Sequence, residues 1–348
     1  MAANFASDNV SAAAPAVIAA IAEAAAAPAM PYGADPWTER AAARLRDVFE
    51  TDLAVFPVVT GTAANALALA ALTPPWGTIW CHPHSHAVED ECGAPEFYTG
   101  GARLVGVDGP HARVDPASLA AALPGARPHG VHNMAPAVLS LTQSTEAGTV
   151  YDADAVAELT AVARRFGMAV HMDGARFANA VATCGASPAD LTWCAGVDVL
   201  SLGATKNGAL AAEAVIFFDA ARAAGFAERR KRGGHLLSKA RFVGAQLDAW
   251  LADDLWLANA RAANAAARRL AAGLGGLPRA ELVHPVEANM VFAALPEAAV
   301  AALEAAGFGF YRAGAAGPGR TIIRLVASFA TADAEIDVFL AAVAPLAS

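Results

Sequence analysis

Short apolar runs alternate with amphipathic stretches along the first two thirds of the chain. The runs predict buried strands at positions 54–59, 78–81, 137–141, 169–172, 197–202 and 214–218. Apolar residues spaced every three or four positions predict helices at 37–50, 62–72, 116–123 and 153–166. Strands that alternate with helices in this way are typical of an α/β fold with a mostly parallel sheet covered on both faces.

The pattern changes after about residue 235. A long helical stretch is predicted at 236–272, and the glycines and proline of 273–278 end it. A strand, a helix, a second strand and a second helix are then predicted at 291–292, 297–306, 321–326 and 333–343. We therefore expect an N-terminal segment (1–30) that packs on the small domain or on a neighbouring subunit, a large domain (31–245) and a small C-terminal α+β domain (246–348).

The composition agrees with a large packed interior. Of the 348 residues, 56% are hydrophobic and 16% are charged, and the mean hydropathy is +0.39. So much apolar surface can be buried that disorder is excluded as the dominant state. The formal net charge is -9 and no basic stripe is present, which argues against nucleic acid as a partner.

Cysteine content and hydropathy limit the cellular setting. The four cysteines form no C-x-x-C pair, and so few in a chain of this length predict reduced thiols and a cytoplasmic location. No uncharged apolar run reaches the length of a membrane span, so no membrane partner is expected. The alanine-rich N-terminus lacks the basic region that begins a signal peptide.

Two charged residues end predicted strands of the same sheet. Asp173 follows the strand at 169–172, and Lys206 follows the strand at 197–202 in a segment of small residues. The carboxyl ends of parallel strands meet at one edge, so both side chains would reach one crevice. A lysine amine that bonds an aldehyde and a carboxylate that pairs with a ring nitrogen predict pyridoxal phosphate as the cofactor. Taken singly, a solvated lysine and an Asp-Gly turn are the ordinary interpretations.

Three polar segments follow other predicted strands. Gly61 and Thr62 open a helix, whose free amides favour an anion, although an ordinary helix cap is the simpler interpretation. Glu146 follows the strand at 137–141 and is a candidate general base or a solvated acid. Pro83 favours a loop for the histidines at 82, 84 and 86, so no metal site is expected. We expect His86 to stack on a cofactor ring, with a surface histidine cluster as the alternative.

Two arginines interrupt apolar stretches. Arg176 lies three residues after Asp173, and Arg324 lies within the predicted strand at 321–326. Arginine stays charged when buried and binds carboxylates in bidentate fashion, so both are candidates for a substrate carboxylate. A structural ion pair is the alternative for either residue.

In order along nearly the whole chain, these motifs resemble the low-specificity L-threonine aldolases, which are pyridoxal-phosphate enzymes of fold type I. The resemblance is carried by Ser7-Asp8, the segments 32–36, 60–65, 145–148 and 171–176, His86 with Glu91, the Lys206 segment and the segment 324–326. The Asp-Gly-Ala-Arg sequence with a downstream lysine is specific for this group, whereas the Thr-Gly-Thr turn alone is not.

The resemblance implies the fold and the reaction of this family. The large domain would contain a mostly parallel seven-stranded sheet, and a small α+β domain would follow it. The reaction would be the retro-aldol cleavage of L-threonine, L-allo-threonine and related L-β-hydroxy-α-amino acids to glycine and an aldehyde. The residues implied to contact the cofactor are Lys206, Asp173, Gly61, Thr62, His86, Arg176 and Thr205.

The resemblance also implies a substrate site that subunits share. Ser7, Arg176 and Arg324 would hold the substrate carboxylate. Tyr32 and the segment 230–239 would reach the site of a neighbouring subunit, which implies a homodimer or a homotetramer.

The chain departs from the family at one position that bears on the chemistry. Many members have a histidine where this chain has Glu146, so the general base stays open between Glu146 and His86, acting directly or through water. The alternatives are a phenylserine-type aldolase or a β-eliminating lyase on the same fold, and a pyridoxal-phosphate-binding protein without turnover. A metal-dependent hydrolase built on the histidines at 82–86 is a further alternative.

Overall fold

A seven-stranded sheet forms the centre of the larger part of the molecule. The computed structural model describes residues 3–347. The strands are β1 (Ala54–Val58), β2 (Gly77–Cys81), β3 (Arg103–Gly106), β4 (Ala135–Thr142), β5 (Ala169–Gly174), β6 (Val199–Gly203) and β7 (Glu213–Phe217). Their order is β1-β7-β6-β5-β4-β2-β3, in which β7 runs antiparallel to β1 and β6 and the other neighbours pair in parallel. The predicted mostly parallel seven-stranded sheet is confirmed.

Helices precede, connect and follow these strands. They are α1 (Pro15–Ala26), α2 (Pro36–Phe49), α3 (Gly61–Leu72), α4 (His86–Glu89), α5 (Ala94–Thr99), α6 (Pro116–Ala122), α7 (Ala153–Arg165), α8 (Phe177–Cys184), α9 (Phe226–Arg232), α10 (Arg241–Leu251) and α11 (Leu255–Gly275). Four of them begin where a side-chain oxygen accepts the amide three residues on, and the capping residues are Asp35, Thr60, Asp115 and Asp152. None of the helices in residues 3–347 is long and apolar enough to cross a membrane.

A separate four-stranded antiparallel sheet forms the C-terminal part. Its strands are β8 (Glu281–Leu282), β9 (Met290–Pro296), β10 (Tyr311–Ala315) and β11 (Arg320–Val326), in the order β10-β11-β9-β8. The helices α12 (Glu297–Ala305) and α13 (Asp333–Val343) complete it. A second hydrophobic cluster lies here, and the predicted small α+β arrangement is confirmed.

The N-terminal residues touch both parts of the molecule. The amide of Phe5 donates to the carbonyl of Gly309 at 2.7 Å, and its carbonyl accepts from Val326 at 2.8 Å. Helix α1 packs on α10 through Val17 and Ala24, which are fully buried. The division of the chain at residues 30 and 245 stays a prediction.

The prediction of one helical stretch at 236–272 is wrong. Residues 236–240 are not helical, and the rest is divided between α10 and α11. Asp253 and Asp254 between these helices have φ values of 50° and 56°, in the left-handed region that ends a right-handed helix. The edge strands β3, β8 and β10 were not predicted. Every residue of β10 is exposed, so it lacks the apolar run on which strand prediction depends.

Candidate active site

The predicted polar residues converge at one edge of the large sheet. Thr142, Asp173 and Ser201 are partners across β4, β5 and β6, near the carboxyl end of each strand. Helix α3 begins at the same edge, because β1 is antiparallel to β7 and therefore parallel to β6. The crevice of an open α/β sheet forms at such an edge.

Lys206 lies in a single turn of 3₁₀ helix, Thr205–Asn207, directly after β6. It is partly buried and forms no hydrogen bond or ion pair within residues 3–347. Its positive charge acts on the carboxyl groups of Asp8, Glu146 and Glu213. The amine is therefore unpaired and surrounded by acids, which leaves its nitrogen available for bonding to a ligand.

Buried polar side chains connect Asp173 to His86. The amide nitrogen of Asn65 donates to Asp173 Oδ2 and to Glu91 Oε1, at 2.8 Å each. Glu91 Oε1 also lies 2.9 Å from Nδ1 of His86, and the second oxygen of Asp173 accepts the amide of Ala175 at 3.0 Å. The side chains of this connected set are thus oriented by one another before any ligand binds.

The same contacts set the proton affinities of the set. The hydrogen bond of the imidazole with the Glu91 carboxylate raises the pKa of His86, and the charge of Asp173 adds to that effect. Burial raises the pKa of Glu91, although its hydrogen bonds with His86 and Asn65 oppose the shift. His86 therefore holds a proton more strongly than a free imidazole does.

The first turn of α3 supplies amide donors. The hydroxyl of Thr60 accepts the amide of Ala63 at 3.2 Å, and its carbonyl accepts the amide of Ala64 at 3.1 Å. The amides of Gly61 and Thr62 find no acceptor within the described part of the chain, and the space beside the Gly61 α-carbon is open. Free amides at a helix N-terminus form a site for an anion such as a phosphate.

Arg176 is occupied by a neighbour from the N-terminal segment. Its Nε and Nη2 donate to the two oxygens of Asp8, at 2.8 and 3.1 Å, and both side chains are buried. Asn289 adds a 3.0 Å hydrogen bond to Asp8. Burial alone raises the pKa of Asp8, but the charge and hydrogen bond of Arg176 outweigh it and leave the pKa lowered. The structural ion pair, which was the alternative for Arg176, is therefore present.

Arg324 is much less completely bonded. It makes one long hydrogen bond of 3.4 Å, to the carbonyl of Ala6, and its Nε is buried without a partner in residues 3–347. The guanidinium lies over the ring of Tyr311, 5.1 Å from its centroid. A half-buried arginine with free donors is able to bind an incoming carboxylate.

Glu146 and Arg324 line one cavity. It has a volume of about 740 Å³ and lies between elements of the two sheets, with His84, Glu89, Tyr311 and His284 also at its wall. Burial raises the pKa of Glu146, against the opposing charges of Arg176 and Lys206. The cavity thus brings together an acid of raised proton affinity and an arginine whose Nε has no partner in residues 3–347. Lys206 is not among the residues that line the cavity, but its charge acts on Glu146.

The other predicted residues lie around this centre. The hydroxyl of Ser7 accepts the amide of Asn9 at 3.1 Å, next to Asp8. The hydroxyl of Thr205 accepts the amide of Ala212 at 3.2 Å. Tyr32 is half exposed, and its contacts are the carbonyl of Ser238 at 3.0 Å and Lys231 over its ring.

Sequence reasoning assigned no role to Asn65, Asp8, Glu213 and Asn289, all of which are buried among the residues above. Asn65 and Asp8 were part of motifs that carry the resemblance, but neither was given a role of its own. A signal existed for two of them, because Asn65 interrupts an apolar helix and Glu213 precedes an apolar strand. Asn289 lies far from the predicted site residues along the chain and carries no comparable signal.

Comparison with known proteins places the chain in a family. A profile of the beta-eliminating lyase family matches residues 4–298. The low specificity L-threonine aldolase of Pseudomonas aeruginosa is 45% identical over 307 residues, which cover 88% of both chains. A threonine aldolase structure from Leishmania major has a TM-score of 0.93 at 26% identity, covering 99% of this chain and 100% of that one.

More distant structures share the fold. A serine palmitoyltransferase of S. paucimobilis with bound PLP has a TM-score of 0.69 at 18% identity, covering 99% of this chain and 86% of that one. A mostly parallel seven-stranded sheet with a small antiparallel sheet is the arrangement found here. The chain therefore belongs to the beta-eliminating lyase family and has the architecture of pyridoxal-phosphate enzymes of fold type I.

Proposed function

We propose that the protein is a carbon–carbon lyase that cleaves L-threonine, L-allo-threonine and related L-β-hydroxy-α-amino acids to glycine and an aldehyde. One observation carries the proposal. The unpaired Lys206 and the connected set of Asp173, Asn65, Glu91 and His86 lie at the sheet edge, and the charges of Lys206, Asp173 and His86 act on Glu146, which lines a cavity together with the incompletely bonded Arg324. The 45% identity to a low specificity L-threonine aldolase supports the same reaction.

The residues at the sheet edge fit pyridoxal phosphate, which is the cofactor of this family's fold. Lys206 offers an unpaired amine for the aldehyde, and Asp173 offers an oriented carboxylate for the ring nitrogen. The free amides of Gly61 and Thr62 suit the phosphate, and Thr205 lies beside Lys206. When bound, the cofactor supplies an electron sink for the charge left at the substrate α-carbon.

Asp173 and His86 have complementary roles in this proposal. Asn65 and the amide of Ala175 hold Asp173 as an acceptor, so its carboxylate favours a protonated ring nitrogen. Glu91 orients the imidazole of His86, which would lie against the ring face. Both residues thus act by holding charge and orientation, which costs no rearrangement during the reaction.

The substrate carboxylate would bind Arg324, with help from Ser7. Arg324 has free donors at the cavity, whereas one edge of the Arg176 guanidinium is taken by Asp8. Arg176 can therefore contribute through its remaining nitrogen and its charge. The cavity of about 740 Å³ leaves room for the β-substituent that departs with the aldehyde.

Cleavage of the bond between the α- and β-carbons requires removal of the β-hydroxyl proton. Glu146 and His86 are the two candidate bases, acting directly or through water. Burial raises the pKa of Glu146 and the hydrogen bond to Glu91 raises that of His86, so each accepts a proton more readily than its free counterpart.

The substrate-binding surface also receives Tyr32 and residues 230–239 of a neighbouring copy, in a homodimer or a homotetramer. A cytoplasmic location stays a prediction from the cysteine content.

Product analysis tests the proposed reaction. The purified protein is loaded with pyridoxal phosphate and incubated with L-threonine or L-allo-threonine, and glycine and acetaldehyde are measured. We expect equal amounts of both products, and no products from a Lys206→Ala variant. Ammonia and an α-keto acid instead of glycine would identify a β-eliminating lyase. A cofactor-loaded protein without turnover on either substrate or on phenylserine would contradict the proposal.

A further inference from the structure

Glu213 is a buried carboxyl that the proposed reaction does not use. It begins β7, is 7% exposed, and is the partner of Gly203 across the antiparallel pair of β6 and β7. The residues that follow it, Ala214 to Phe217, form an apolar buried strand. Burying a carboxyl costs free energy unless the carboxyl is hydrogen-bonded. The hydrogen-bond partners of Glu213 therefore indicate which part of the site it holds in place.

Those contacts all lie in the segment that leads to Lys206. Glu213 Oε2 accepts the amide of Ala204 at 3.0 Å, and the hydroxyl of Thr205 bonds to the backbone of Ala212, the residue directly before Glu213. Gly203 is held beside it by the strand register. The carboxyl of Glu213 and the backbone at the start of its strand therefore hold the three residues that directly precede Lys206.

The residue after Lys206 is held by neutral groups. The side chain of Asn207 donates to the carbonyl of Trp256 at 2.7 Å, and its carbonyl accepts from Trp250 at 3.1 Å and from Asn259 at 2.9 Å. Lys206 is thus fixed from both sides, and the anchor at Glu213 is the ionisable one.

The charge of Glu213 is coupled to that of Lys206. Burial raises the pKa of Glu213 to about 7, and the nearby hydroxyl of Thr205 and the charge of Lys206 oppose this shift. Asp173 acts in the opposite direction to Lys206, because two carboxylates repel. Attraction between opposite charges is mutual, so Glu213 and Lys206 interact through charge as well as through the segment that joins them.

We propose that Glu213 is a positioning residue that fixes the Lys206 turn through its hydrogen bond with the Ala204 amide, and that its charge interacts with the charge of Lys206, both in the free amine and after the cofactor is bound. The statement about the bound cofactor rests on the proposed function, whereas the statement about the free amine does not.

The first test is a pH titration of the visible absorbance of the cofactor-loaded protein. Glu213→Gln keeps an oxygen acceptor for Ala204 and removes the charge. The visible absorbance of the bound cofactor changes with pH, and the midpoint of that change is measured. We expect Glu213→Gln to lower this midpoint by roughly one pH unit, since one nearby charge shifts a pKa by about that amount. Glu287→Gln is the matched control, because Glu287 accepts the amide of Val150 at 2.7 Å, outside the Lys206 segment. An unchanged midpoint in Glu213→Gln would overturn the proposal.

The second test does not depend on the cofactor or on the folding of the Glu213 variant. In protein labelled with ¹³C at glutamate carboxyls, the titration of Glu213 is followed by NMR with and without Lys206→Ala. We expect loss of the amine to raise the pKa of Glu213, and an identical titration would contradict the coupling. If the parent protein shows no lysine-dependent absorbance band, the proposed function fails, and this second test still decides the coupling.

Discussion

The sheet edge and the cavity beside it differ in how their polar groups are bonded. At the sheet edge, Asp173, Glu91 and His86 are joined through Asn65, and Arg176 is paired with Asp8. At the cavity, Glu146 makes no hydrogen bond within residues 3–347, and the Nε of Arg324 has no partner there. The chain thus joins the carboxylates and the imidazole at the sheet edge to one another, although Asn65 Oδ1 and Glu91 Oε2 are buried there without a partner in residues 3–347, and it leaves the charged groups at the cavity open.

The difference separates groups that maintain the site from groups that await a ligand. A buried charge without a partner costs several kcal/mol, so the bonded set is maintained by the protein itself. An open donor or acceptor at a cavity can exchange its contact with water for one with substrate at lower cost. Residue type and apolar surroundings in the sequence identify both kinds of group as candidates. Only the hydrogen-bond partners in the structure distinguish the groups that maintain the site from those that bind a ligand.

The two candidate bases provide the largest expected effect. His86 belongs to the bonded set and Glu146 to the open set. If the open groups act on substrate, Glu146→Gln should lower kcat by about 10²–10⁴, the usual contribution of a general base. His86→Phe should instead weaken retention of the cofactor. Steady-state kinetics at saturating cofactor measure the first effect, and the amount of cofactor that stays bound after dialysis measures the second.

Glu89→Gln is the control for this pair of variants. Glu89 lines the same cavity, but it is bonded to His84 at 2.6 Å, so its loss should leave kcat close to that of the parent. Near-normal cleavage rates in both Glu146→Gln and His86→Phe would show that neither residue is the base.

The two arginines are expected to differ in stability. Arg176→Met leaves Asp8 buried without its partner and should lower the free energy of unfolding by about 3–5 kcal/mol. Arg324→Met removes a guanidinium that has few partners, so it should be nearly neutral for stability. Its effect should be on KM, raised by about 10- to 100-fold, because a charge-assisted hydrogen bond contributes about 1.5–3 kcal/mol.

Denaturant unfolding and substrate kinetics on both variants decide this comparison. Adding Asp8→Asn to Arg176→Met should recover part of the lost stability, since it removes the uncompensated charge. An Arg176→Met protein that is as stable as the parent and has only a raised KM would assign the carboxylate clamp to Arg176 instead.

Sequence patterns predicted the central strands because each is an apolar run that must be buried. They also placed Lys206 and Asp173 at one edge, since parallel strands direct their carboxyl ends there. The partners could not be predicted in the same way. Asp8 and Arg176 are separated by 168 positions, and Asn65 and Asp173 by 108, so these contacts depend on the tertiary fold. The exposed strand β10, which carries Tyr311 to the cavity, lacked an apolar signal.

The smallest expected effect concerns a buried histidine inside the sheet, next to the bonded set. His171 precedes Asp173 on β5 by two residues, and its ring nitrogens lie 2.9 Å from the hydroxyls of Ser140 and Ser201. Burial lowers the pKa of His171 from 6.5 to about 4, so between these values the folded state binds fewer protons than the unfolded state. The part of the unfolding free energy that depends on a neutral His171 is therefore complete above pH 6.5 and is lost as the pH falls toward 4.

His171→Gln removes this titration. Between pH 8 and pH 5.5, the parent should lose about 1.4 kcal/mol more unfolding free energy than the variant, as follows from a proton bound only in the unfolded state. Urea unfolding of both proteins at the two pH values measures the difference, in which the contributions of the other groups cancel. A difference that is the same at both pH values would mean that the imidazole accepts a proton inside the sheet. The serine hydroxyls would then compensate for the burial that is expected to exclude the charge.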